Sequence, residues 1–294
     1  MLTIQEKEEA SKLSKAPLSL SHMPTLSGLT LEFLQEFINK SRRCIFLEGA
    51  GNSSTIIQAG KHVQMGSSAT FASLADDIIA KYITFENTYN SPFSTQVNER
   101  VLPALAAKIE GDRTAFYNCS FKGVQDTLWD RSGHHYFHNC YIQGAVDFIF
   151  GDGQSMYEKS VINFTMGPIG RDGTITAQKR ETINSPTGFV FKECYITGIN
   201  GKAELGRAYG PYSRVIIANS YLSDVVRPEG WSSWNKTVED ITFVEVNNTG
   251  PGANNPNRVK WMKHLGKAEL NHFLNISYID QDGWIALQRS DNSF

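Results

Sequence analysis

Asp126 and Asp147 each follow a cysteine by seven residues, Cys119 and Cys140. Equal offsets from a repeated residue put the two acids at the same point of successive structural repeats, where stacked strands lie about 4.8 Å apart. Carboxylates that close cannot both ionise freely, so one is driven to keep its proton and the other to lose it. A pair divided in this way supplies a proton donor and a carboxylate nucleophile or base at one pH. The same spacing also fits a plain ladder of surface aspartates at a turn. Ester hydrolysis needs a further part, a donor to the tetrahedral oxyanion, and Gln125 stands next to Asp126. A carboxylate nucleophile must stay ionised, which gives a cation such as Arg207 a purpose, although Arg207 taken alone reads as a solvated surface charge.

The elements that would position these residues show themselves as an internal repeat. Phe116–Phe121, Phe137–Ile142, Tyr157–Ile162, Phe191–Ile196 and Ile217–Leu222 share one pattern: an aromatic or aliphatic residue, two mostly polar ones, Cys or Ser, a variable residue, then an apolar one. Ile83–Thr88 is a looser copy. The small residue recurs at 119, 140, 160, 194 and 220, at spacings of 21, 20, 34 and 26. Short aromatic and β-branched strands at such intervals suit a solenoid in which each coil adds one strand to parallel sheets. A β-sandwich would favour hairpins at closer spacing. The expected fold is therefore all-β, a right-handed parallel β-helix with short terminal helices. Leu29, Phe33, Leu34, Phe37 and Ile38 fall on one helical face, so a helix over 29–38 is expected to cap the open end of the coils. The tail from Val259 reads as a helix followed by a Trp284-containing segment that packs back on the body, with no domain boundary before it.

Composition narrows the partners. Of 294 residues, 40% are hydrophobic, enough for a sizeable core, and 28 Lys plus Arg against 30 Asp plus Glu leave a net charge of −2. No basic field offers itself to nucleic acid, and no apolar run approaches the roughly 18 residues that cross a bilayer. The charged start lacks the apolar core of a signal peptide, while seven N-x-Ser/Thr sequons, at Asn39, Asn52, Asn118, Asn163, Asn235, Asn247 and Asn275, point toward a secreted form. Cys44, Cys119, Cys140 and Cys194 form no CxxC pair; the last three are expected to stack inward, with a Cys119–Cys140 disulfide geometrically conceivable. Asn87, Asn118 and Asn139 are expected to form an amide ladder at a turn. His134, His135 and His138 lack a carboxylate set at metal spacing.

Gln125-Asp-Thr-Leu128, Asp147-Phe-Ile-Phe-Gly151 and Leu205-Gly-Arg-Ala-Tyr209 together resemble the plant-type pectinesterase (pectin methylesterase) family of right-handed parallel β-helix carbohydrate esterases. Phe46–Gly49, Phe85–Thr88, Gly111-Asp112, Pro228–Trp231 and Arg258–Trp261 extend the likeness from about Cys44 to the C-terminus. The resemblance implies a catalytic domain over 44–294, preceded by an unmatched segment 1–43. It implies that Asp147 attacks the carbonyl of a galacturonate methyl ester. Asp126 then protonates the leaving methanol and later activates water, Gln125 donates to the oxyanion, and Arg207 orients the nucleophile. Phe150, Tyr209 and Trp231 match positions that line the sugar groove. By the same resemblance no metal or organic cofactor is needed, the substrate is methyl-esterified homogalacturonan in the cell wall, and a proteinaceous inhibitor is a possible partner.

Three departures accompany the likeness. The family's second oxyanion-side glutamine would fall at position 103, where this chain has Pro103, which lacks both a side-chain donor and a backbone N–H. Tyr209 stands where the family commonly has Trp, and the family's early Gly-x-Tyr-x-Glu element has no counterpart. Pro103, Tyr209 and the altered N-terminus leave a weakened wall-polysaccharide binder as a rival. A lyase or glycosidase on the same fold is a second, because β-helices host several chemistries.

Overall fold

The computed structural model describes residues 2–6, 30–32, 36–62, 68–91, 101–166 and 172–290. Three sheets of nine, eight and eight strands run side by side along the molecule, and successive strands in each sheet come from successive coils. One coil reads Thr114–Tyr117 in the first sheet, Ser120–Lys122 in the second and Leu128–Asp130 in the third. The next reads His134–His138, Tyr141–Gly144 and Val146–Gly151. Pairing between coils is parallel, as in Ala115 beside Tyr136 and Phe121 beside Ile142. This is the parallel β-helix expected from the repeat.

Each position of the repeat has a structural task. Its first residue points inward from the first sheet: Phe116 stacks on Phe137 at 5.1 Å, Phe137 on Tyr157 at 4.6 Å, and Tyr157 on Phe191 at 4.5 Å. Its third residue turns the corner in a left-handed conformation, with positive φ at Asn118, Asn139, Lys159, Glu193 and Asn219. Asparagine tolerates that region better than most side chains, and Asn139 donates to the Asn118 amide oxygen at 2.5 Å. Asn87 lies outside that ladder, donating instead to the carbonyls of Lys61 and Leu105. The small fourth residue is buried at Cys119, Cys140, Ser160, Cys194 and Ser220. The Ser160 and Ser220 hydroxyls accept from the N–H groups of Cys140 and Cys194, and the cysteines are free thiols. The last residue closes the core from the second sheet as Phe121, Ile142, Ile162, Ile196 and Leu222.

The two ends differ from each other. The expected helix over 29–38 does not form: Thr30–Glu32 pairs with Ile56–Gln58 and Glu36–Ile38 with Phe71–Ser73, both parallel. A coil edge offers unpaired N–H and C=O groups, and pairing with it outweighs an apolar period that short strands and helices share. Leu29, Phe33 and Leu34 lie outside the described residues. Leu2–Glu6 lies antiparallel along Ile45–Gly49. At the other end, α1 (Lys267–Leu274), a 3-10 turn (Ile276–Tyr278) and α2 (Trp284–Ser290) follow the last coil. Tyr278, Ile279, Trp284 and Ile285 bury themselves against Tyr136, Met156, Val190, Ile216 and Val244 on the outer face of the first sheet. No described helix is long and apolar enough to cross a membrane.

Candidate active site

Parity along the strands decides which side chains face out from the third sheet. Lys108, Trp129 and Phe150 occupy one cross-strand row, and Ala177 continues it beside Phe150. One residue beyond the Thr176–Gly206 pair, Arg207 extends the same row and pairs with Ser232. Arg207 thus lies two coils from Asp147, with Ala177 between. On that intervening coil the row carries only the methyl group of Ala177. Arg207 Nε donates to Asp147 Oδ1 at 2.7 Å and Nη2 donates to Oδ2, a two-pronged pair.

The two aspartates sit where the coil turns into the third sheet, on neighbouring coils joined by the Asp126 N–H to Val146 carbonyl bond of 3.0 Å. Both adopt left-handed backbone, φ 59° at Asp126 and 47° at Asp147, a strained geometry that clusters at functional sites. Gly144 makes the second turn possible, because a Cβ there would meet Phe148 Cβ at 2.2 Å. Asp126 and Asp147 are 7% and 8% exposed, and burial pushes both carboxyls upward. For Asp126 the charge of Asp147 adds to burial, and its pKa reaches about 7 against a weaker opposing pull from Arg207. For Asp147 the direct hydrogen bonds and charge of Arg207 oppose burial. The proton of the pair therefore belongs to Asp126 and the charge to Asp147.

Gln125 is half-buried and bridges Pro103 on one neighbouring coil and Val146 on the other. Position 103 accordingly adjoins Gln125, and Pro103 offers no side-chain donor there. Phe150 forms the floor of the outer row, nearly covered and stacked on Trp129 at 5.5 Å. Tyr209 is 40% exposed and stacks on Trp234 at 5.7 Å.

Trp231 is not where the sequence placed it. It pairs with Gly206 in an inward row, is 2% exposed, stacks on Phe243 at 4.6 Å and donates its indole N–H to Glu245 at 2.8 Å. Gly206 gives it room, since a Cβ there would stand 3.1 Å from Trp231 Cζ3. Trp231 belongs to the core and cannot line a groove. Trp234, three residues on and at positive φ, is 41% exposed and lies over the Arg207 guanidinium at 3.9 Å. The Gly-Trp-Ser-Ser-Trp spacing held both candidates, and only strand parity separates them. Trp129 joins the row as well, three residues after Asp126 as Phe150 is after Asp147, an offset visible in the sequence.

The histidines diverge: His134 pairs with Asp112 at 2.8 Å, while His135 points inward to Asp130 at 2.6 Å. Among the described residues no group of three or more His, Cys, Asp or Glu side chains could hold a metal ion.

A family model described as Pectinesterase matches residues 27–282. "Probable pectinesterase 55" of Arabidopsis thaliana is 46% identical over 253 residues, covering 84% of this chain and 76% of that protein. The structure of a pectin methylesterase from carrot superposes with a TM-score of 0.77 at 30% identity, covering 88% of this chain and 85% of that one. A pectin methylesterase solved in complex with a hexasaccharide shares the fold, with a TM-score of 0.72 at 22% identity over 85% of this chain and 86% of its own.

Proposed function

The chain belongs to the pectinesterase family, and on that premise we propose that it hydrolyses methyl esters of homogalacturonan with Asp147 as nucleophile and Asp126 as acid and base. The observation that carries this reading is the unequal pair: Asp147 gripped by both prongs of Arg207, beside a buried Asp126 whose pKa is pushed to about 7. The Asp147 carboxylate adds to the ester carbonyl, and the Gln125 amide donates to the oxyanion that develops. Asp126 gives its proton to the departing methoxide, so methanol leaves and a mixed anhydride joins Asp147 to the sugar. The Asp126 carboxylate, now ionised, takes a proton from water as it attacks that anhydride, which frees galacturonate and returns both aspartates to their starting states. Arg207 holds the attacking carboxylate in place, and Trp234 covers the guanidinium. Phe150, Trp129 and Tyr209 provide apolar surface for pyranose rings. The plant cell wall as place of action belongs to the same proposal.

Methanol release from highly methylated pectin, measured beside Asp147→Asn with circular dichroism on both proteins, tests it. Methanol from the wild type alone, with both folded, is the expected result; equal release by the variant removes Asp147 from the nucleophile's role. New reducing ends or an unsaturated sugar in place of methanol would mean a glycosidase or a lyase. One observation favours a polysaccharide binder with weak turnover: Pro103 beside Gln125 removes a donor from the oxyanion side.

A further inference from the structure

The aspartate pair belongs to the third sheet, and the outer face of the first sheet holds a separate cavity. Parity places two rows of side chains on that face. Tyr136, Met156 and Val190 form one row, and two residues further along each strand His138, Glu158 and Lys192 form the other. The C-terminal segment lies over the first row and buries Tyr278, Ile279, Trp284 and Ile285 against it. Where that cover meets the second row, a cavity of about 300 Å³ is left, walled by Ile276 and Ile285, floored by Met156 and edged by Glu158, Lys159 and Lys192. Hydrogen bonds along the charged edge are unevenly spent. Glu158 accepts from Lys192 Nζ at 2.9 Å through one oxygen and from the Tyr136 hydroxyl at 2.5 Å through the other. Lys192 commits one of its three N–H donors to that bond. Lys159, with a side chain 56% exposed, stands 3.9 Å from Glu193, beyond hydrogen-bond length. The edge thus has ammonium donors to offer while both oxygens of its carboxylate are engaged, so a ligand that completes it brings acceptor oxygens and negative charge. The walls and floor call for an apolar body.

We propose that this cavity binds a small aromatic carboxylate, with the ring between Met156 and the two isoleucines and the carboxylate on Lys192 and Lys159. Its volume stands at the lower end of the roughly 300–1,000 Å³ of small-molecule sites, which suits one ring on a short arm. The Met156 thioether is a favourable neighbour for an aromatic ring. A carboxylate met by ammonium groups forms charge-assisted hydrogen bonds that an uncharged amide or ester cannot match. The ligand touches coils and C-terminal segment together, so it ties one to the other and stabilises the folded chain by mass action. The site stands on a different sheet from Asp126 and Asp147 and is independent of the esterase reading.

The test titrates 3-phenylpropionate into the full chain by calorimetry, with its uncharged amide as the control and thermal melts alongside. Saturable binding of the acid is expected, tighter than that of the amide by about tenfold or more, with a melting temperature that rises with acid concentration. Lys192→Met keeps the apolar stem and removes the charge, Lys159→Gln removes the charge at the exposed corner, and Ile276→Glu sets a carboxylate in the wall. Each is expected to weaken binding by about fivefold or more. Lys192→Met leaves Glu158 without its cation; should it fail to fold, the other two serve, because Ile276 is 38% exposed and Lys159 lies at the surface. Absence of saturable binding up to about 10 mM acid would overturn the proposal, as would equal binding of acid and amide. Affinities within about twofold of wild type in folded Lys159→Gln and Ile276→Glu would overturn it too. Fully de-esterified oligogalacturonate is expected to leave the affinity for the acid unchanged; competition between them would place the probe at the third sheet and refute this site. Methanol release is no part of the readout, so the esterase reading stands or falls separately.

Discussion

Asp126 keeps its proton up to a pH of about 7 because burial and the charge of Asp147 both disfavour its carboxylate. On the proposed mechanism the free enzyme must carry that proton to release methanol, so kcat/KM is expected to fall as pH rises through about 7, which a pH series of initial rates would check. The same shift bears on stability. A carboxyl whose folded pKa is raised contributes most below its unfolded value, near 3.9, and loses that contribution as pH rises through the folded one. Asp126→Asn should therefore abolish turnover yet raise the melting temperature at pH 8 more than at pH 4. Pro103→Gln places an amide beside Gln125 and is expected to raise kcat, by up to about 10²-fold if the second donor is fully realised. An unchanged rate in a folded variant would mean that the oxyanion is already served.

At the scale of the strand, the methyl group of Ala177 is all that the outer row carries between Phe150 and Arg207. Ala177→Leu sets a larger side chain there and is expected to lower kcat by about 10²-fold, with the acid limb of the pH profile moving upward as Asp147 loses its cation; a normal profile would refute this. The coils themselves were legible in the sequence, because a period-two strand that must bury one face imposes the same residue classes on every repeat. The placing of the two aspartates on neighbouring coils was legible for the same reason, whereas the Arg207–Asp147 pair was legible only through the family likeness. Trp231 was misplaced because type and spacing give no account of parity after an irregular turn; Gly206 beside it is what admits the indole to the core. The helix expected over 29–38 failed on a different ground. Its apolar period was real, but Thr30–Glu32 and Glu36–Ile38 find hydrogen-bonding edges in the next coil that an isolated segment lacks.

Across the molecule, the interior is not purely apolar. Asp130, His135 and Tyr157 are fully enclosed: Asp130 accepts from Tyr157 at 2.5 Å and contacts His135 at 2.6 Å, while the other ring nitrogen of His135 meets the Gly111 carbonyl at 2.8 Å. Burial works against a charged ring here, but the charge and hydrogen bond of Asp130, with the Gly111 carbonyl, raise the histidine above its ordinary value. Its contribution is thus complete at low pH and fades as pH rises through the folded pKa. Asp130→Asn strands that ring and is expected to cost about 3–5 kcal/mol in a denaturant titration near pH 5, and less at pH 9. Coils of a solenoid touch only their neighbours, so each end could fray alone. The C-terminal tail alters that, since Tyr278 bonds to the carbonyls of Pro186 and Gly188, accepts from Gln154 and packs with residues from Tyr136 to Val244. During synthesis those coils leave the ribosome before the strap that spans them. The stack must then hold itself by local pairing alone until that strap arrives.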